Sequence, residues 1–183
     1  MKRHMGVVMA VALLAPAVAR AQPAPPEFGA DDLRRGLTFE ANLGVGWIHA
    51  GNGSASLVSG LSLGGIDLGV GAWLNTTTAL TARVAGVTTT VDGGTATGGV
   101  IGGSVQHWLD DHLWVSGGVG LGVYLERGPG AVTATGTGLD ARIGYTLSTA
   151  TEHTFNASLE VTPAFVPYMR VTSIALLFGY QHL

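Results

Sequence analysis

Leu139-Asp140-Ala141-Arg142-Ile143-Gly144-Tyr145-Thr146-Leu147 is the stretch that decides how this chain folds. Leu139, Ala141, Ile143, Tyr145 and Leu147 share one parity, while Asp140, Arg142 and Gly144 lie on the other. A period of two puts these sets on opposite faces of a β-strand. One face is continuously apolar. The other mixes an acid, a base and a residue with no side chain.

Working outward, the same texture recurs from Gly36 to the end. Leu37, Phe39, Ala41, Leu43, Val45 and Trp47 alternate with Thr38, Glu40, Asn42, Gly44 and Gly46. Ile66, Leu68, Val70 and Leu74 alternate with Asp67, Gly69, Gly71 and Trp73. Leu80, Ala82 and Val84 flank Arg83, and Phe155, Ala157, Leu159 and Val161 alternate with Asn156, Ser158 and Glu160. Ile174, Leu176, Phe178 and Tyr180 close the chain. The parity slips near Gly64-Gly65, where a β-bulge restores it. Strands are expected near 37–49, 59–74, 79–91, 97–109, 113–125, 133–147, 155–165 and 171–182, separated by turn-forming clusters such as Asp92-Gly93-Gly94 and Asp110-Asp111. Every connection is too short for a crossover helix, so neighbouring strands run antiparallel.

An alternating strand serves a water-soluble barrel as well as a membrane one. Three observations separate them. Glu40, Asp67, Arg83, Asp140, Arg142 and Glu160 all sit opposite the Leu/Val/Ile parity, as they would in a barrel that is apolar outside and polar within. The polar parity is rich in Gly, Ser, Thr and Asn and poor in long solvating side chains, which suits a narrow interior. Trp47, Trp73, Trp108, Trp114, Tyr124, Tyr145, Phe178 and Tyr180 lie near expected strand ends, where girdles at the two bilayer interfaces would place them. The expected fold is therefore all-β: an eight-stranded antiparallel up-and-down transmembrane β-barrel.

In this pattern residues 36–183 resemble the small eight-stranded outer-membrane barrels of Gram-negative bacteria, the OmpA/OmpX-like group. The resemblance implies termini on the periplasmic side. Loops near 50–58, 92–96, 126–132 and 166–170 would then face outward, and turns near 75–78, 110–112 and 148–154 inward. It also implies two partners, outer-membrane lipid and the outer-membrane assembly machinery, and a monomer. The group typically ends in a strand with a terminal aromatic residue. Here Ile174, Leu176, Phe178 and Tyr180 keep the alternation, but Leu183 is not aromatic and falls on the other parity.

The N-terminus fits that location. Lys2, Arg3 and His4 precede the apolar stretch Met5 to Leu14, and Ala19-Arg20-Ala21 supplies a small-x-small cleavage site. Residues 1–21 are read as a cleaved secretory signal, 22–35 as a Pro-rich periplasmic linker whose Asp31, Asp32, Arg34 and Arg35 stay in water, and 36–183 as the barrel. No later run is apolar over the roughly 20 residues a membrane helix needs. Removing residues 1–21 removes three bases and no acid, leaving six bases against twelve acids and no lysine. Such a chain has no electrostatic footprint for nucleic acid. The absence of cysteine excludes disulfides and thiolate metal sites.

Candidate chemistry is sparse. His49, His107, His112, His153 and His182 show no ligand spacing along any one strand, so no metal or other cofactor is expected. Some outer-membrane barrels are lipid A deacylases with a His-x-Ser pair; the nearest segment here is His153-Thr154-Phe155, and no nucleophile, base and acid assemble at a credible spacing. No enzyme is expected. The six strand charges form either a structural ion-pair network filling the lumen or a charged plug gating a narrow path. The reading that follows is a small outer-membrane barrel with a structural envelope role. A narrow gated ion or small-solute channel is the alternative within the fold. A secreted soluble barrel carrying a small apolar ligand is the alternative outside it, and a lipid-modifying enzyme stands last.

Overall fold

The computed structural model describes residues 34–52, 56–128, 130–150 and 152–183. The expected signal segment and all but the end of the linker lie outside them. The strands follow in chain order: β1 (Leu37–Gly51), β2 (Ser56–Asn75), β3 (Thr78–Val91), β4 (Gly94–Trp108), β5 (Leu113–Arg127), β6 (Val132–Ala150), β7 (His153–Val166) and β8 (Met169–His182). Each pairs antiparallel with the next, and β8 returns to β1 to close an eight-stranded barrel.

The bulge falls where the parity slips. Gly44 of β1 opposes Gly65, but Gly46 opposes Ser62, so β2 carries one extra residue through Leu63-Gly64. On the two sides of this step the outward set changes from Leu57, Leu61 and Leu63 to Ile66, Leu68 and Val70. An unrelieved slip would have turned every later side chain of β2 to the wrong face.

The strands run further than the sequence pattern indicates, reaching 14 to 20 residues where a tilted span needs only about 9–11. The extra length shortens the loops. Asp92-Gly93 alone joins β3 to β4, with Gly93 at φ 79°, the left-handed geometry an Asp-Gly hairpin uses. Pro167-Tyr168 alone joins β7 to β8, with Tyr168 at φ 67°.

The faces are inverted relative to a water-soluble barrel. Leu43, Leu121 and Leu159 are 66%, 49% and 48% exposed on the outside, while Glu40, Arg83 and Glu160 are buried inside. An outer belt of Leu, Ile, Val and Phe is the surface of a membrane-spanning barrel, and hydrocarbon is the solvent that matches it.

Candidate functional site

The lumen is filled in three layers. Its middle holds the six strand charges, which converge although they come from five strands, β1, β2, β3, β6 and β7. Arg83 donates from Nη1 to Asp140 (2.5 Å) and Ser116 (3.2 Å), from Nη2 to Glu160 (2.8 Å), and from Nε to Asp67 (3.1 Å). It also lies 3.1 Å from a Glu40 carboxylate oxygen. Arg142 donates from Nη1 to Glu40 (2.9 Å) and Asp67 (2.5 Å), and from Nε to Ser158 (2.9 Å). Asn42 donates to Asp67 at 2.8 Å. Two guanidiniums thus bridge four carboxylates, and Glu40 and Asp67 each touch both. Buried ions need such multiple partners, because desolvating a lone charge costs several kcal/mol. The glycine at position 69 makes room, since a Cβ there would lie 2.8 Å from the Glu40 side chain.

Towards the chain termini, Gln106 and Gln181 exchange amide hydrogen bonds of 3.2 and 2.8 Å across the lumen. Beneath them is an aromatic floor of Trp73, Trp108, Trp114, Ala79 and Leu183. Trp108 lies 6.3 Å from Trp73 and 6.4 Å from Trp114, ring centre to ring centre. The Arg142 guanidinium sits 4.5 Å above the Trp114 ring and ties the floor to the charges. Gly144 lies opposite Trp114 in the ladder, and a side chain at that position would strike the indole.

This arrangement corrects two expectations. Trp73, Trp108, Trp114 and Tyr124 are not girdle residues: all four point inward and are at most 9% exposed. Their nearness to strand ends suggested lipid contact, but their parity is that of the lumen face. Of the expected girdle, Trp47, Tyr145, Phe178 and Tyr180 lie on the outward parity. The second correction is Arg34. The linker charges were expected in water, yet Arg34 is buried, stacks 3.9 Å over the Trp108 ring, and donates to the Thr76 carbonyl at 3.5 Å. Cation–π stacking on an indole face offsets part of the lost hydration. Leu183 owes its odd parity to the same floor: it points inward, and its N–H donates to the Glu152 carbonyl at 2.8 Å.

Towards the loops the lumen turns aliphatic, which the sequence did not signal. Ile48, Val87, Val171 and Leu177 are almost fully buried there, with Val166 and Tyr124 beside them. The Tyr124 hydroxyl donates to Glu126 at 2.9 Å. Glycines again admit the bulk: a Cβ at Gly98 would meet Ile48 and Val171. A void beside Arg83 and Asp140 measures about 10 Å³, room for one water at most.

At the terminal end two turns are closed by side-chain caps. Asn75 Oδ1 accepts from the Thr77 N–H at 2.9 Å, and Asp110 Oδ1 accepts from the N–H groups of His112 and Leu113 at 2.7 Å each. The Leu113 N–H, and after it that of His112, hold the Asp110 carboxyl below the usual carboxylate range.

A closed eight-stranded barrel, apolar across the bilayer and ionic within, defines the class: the fold is that of the small outer-membrane β-barrels. Solved structures of that class match it. Neisserial surface protein A (NspA) is 15% identical over 80% of this chain and 96% of its own, with a TM-score of 0.59. Ail, the attachment invasion locus protein of Yersinia pestis, solved with the heparin analogue sucrose octasulfate, is 13% identical over 80% and 99%, with a TM-score of 0.55. At these identities the likeness is one of fold. No protein-family model matches the chain, and no curated protein sequence matches it.

Proposed function

We propose that this protein is a non-conducting structural component of the outer membrane of a Gram-negative bacterium. The observation that supports this reading is that, among the described residues, side chains fill the lumen at three successive levels. The indole floor, the bridged carboxylates and the aliphatic plug succeed one another, and a wide solute path needs about 16 strands. The charge cluster then acts as an internal brace, because every guanidinium donor it uses is spent on a wall residue. The partners in this reading are membrane lipid around the belt and the outer-membrane assembly machinery during insertion, with the chain acting as a monomer. This reading assigns the chain no catalytic role.

Planar-bilayer recording tests the role. The refolded protein is expected to give no conductance steps. Steps in the parent that vanish in Arg83→Ala or Glu160→Ala would replace the brace with a narrow gated channel. Cell fractionation tests the location. The protein is expected in the outer-membrane fraction, needing detergent and shifting its gel mobility on heating. A freely soluble protein would overturn the reading.

A further inference from the structure

The outer rim at the terminal end carries a second constellation, separate from the lumen. His153 opens β7, His182 closes β8, and the ladder sets them directly opposite each other. Both lie on the outward parity, and their ring centres are 5.4 Å apart. Phe39 packs 5.1 Å from the His182 ring, and Tyr180 packs 5.4 Å from the His153 ring.

Each imidazole is held by its Nδ1. His182 Nδ1 lies 3.1 Å from the Glu152 carbonyl oxygen. A carbonyl only accepts, so this nitrogen carries the proton, and the lone pair of the neutral ring sits on Nε2. His153 Nδ1 lies 2.6 Å from the Tyr180 hydroxyl. The hydroxyl can accept a hydrogen bond as well as donate one, so His153 can adopt the same tautomer. An imidazole whose far N–H is fixed on an oxygen is the arrangement that orients a metal-ligating histidine. The turn is braced as well, because the Glu152 carbonyl also accepts the Leu183 N–H.

We propose that His153 and His182 bind one divalent late-transition cation (zinc, nickel or copper) through their Nε2 atoms. Imidazole pairs suit these ions, whereas calcium and magnesium require oxygen donors. Among the described residues no three His, Asp or Glu side chains converge as a metal cluster. The protein therefore supplies two ligands, and water or an anion completes the shell. The remaining described histidines serve as internal controls. His107 contacts Thr78 Oγ1 at 3.0 Å, His112 stacks on Tyr145, and His49 stacks on Trp47.

The test is calorimetric titration of zinc chloride and nickel chloride into the untagged full-length barrel, folded in detergent. One ion per chain is expected for the parent and for His107→Ala. Saturable binding should disappear in His153→Ala and in His182→Ala. Each variant is first checked for the heat-dependent gel shift of a folded barrel. Equal affinity in parent and His182→Ala overturns the site. So does an equal loss in His107→Ala, which would mean adventitious binding to scattered imidazoles.

Discussion

Around Asp67 and Arg83 the strands carry leucine outside and ions inside; nearer the loops several of the same strands carry threonine outside and aliphatic side chains inside. On β6, Leu139, Ala141 and Ile143 face outward where Asp140 and Arg142 face inward. A few residues towards the loops, Thr133, Thr135 and Thr137 take the outward positions. On β3, Leu80 and Val84 give way to Thr88 and Thr90 outside, while Arg83 gives way to Val87 inside. Thr95 and Thr97 of β4 lie opposite Thr90 and Thr88 and extend the patch. On β1 and β2, Trp47, Leu57 and Leu61 still face outward towards the loops. One strand thus answers to two solvents. Within hydrocarbon the apolar set turns out, and past it the barrel keeps an ordinary water-soluble core. Excess strand length gives the second regime its room.

The largest effect should come from the ionic half. Arg83→Met leaves Asp140 and Glu160 without their guanidinium and should cost about 3–5 kcal/mol, read as a lower urea midpoint in lipid vesicles. An unchanged midpoint would mean that the cluster braces nothing. Next, Leu121→Arg on the hydrocarbon belt should cost about 2–4 kcal/mol, while Thr133→Arg beyond it should cost about 0–1 kcal/mol. Equal losses in the fraction that inserts would erase the distinction between the two halves. Third, the loop-end turn at Tyr168 holds a bulky residue in left-handed backbone, so Tyr168→Gly should relieve strain and raise stability by up to about 1 kcal/mol. A fall in the midpoint would show that the tyrosine ring contributes more than its backbone costs.

The smallest effect is at the opposite rim. Asp110 is held below the usual carboxylate range by two N–H donors. Its capping is therefore complete above the unfolded-state pKa of about 3.9, and is lost as pH falls through the lower folded value. The protection of the His112 and Leu113 amides, taken as the ratio of intrinsic to observed exchange rate, should fall only in strong acid. Loss of protection already near neutral pH would remove Asp110 as the cap.

The hydrocarbon regime was legible in the sequence because alternation is clean where the two faces differ in polarity. Leu139 to Leu147 shows it, and even the bulge at Gly64-Gly65 announced itself as a parity slip. The plug was not legible for the converse reason: Val45, Ile48 and Ala50 place apolar residues on both faces of β1, and a strand greasy on both sides has no period. The indole floor is legible in the parity alone. Trp73 shares its parity with Asp67, Gly69 and Gly71, and Tyr124 with Gly120 and Gly122, which places both inward although they lie near strand ends. Arg34 precedes the first strand and carries no period at all. The His153–His182 pairing depends on the β7–β8 register, which composition does not encode.

The ionic cluster also bears on how such a wall comes to be sealed. Arg83, from the first half of the chain, reaches Asp140 and Glu160 in the second half, and Arg142 reaches back to Glu40 and Asp67. A sheet still missing β7 and β8 would leave these groups turned towards oil with part of their counterions absent. The completed circle is the arrangement that hides them all. The knot therefore works as a clasp: a ribbon that stops short of β7 lacks the Glu160 partner of Arg83.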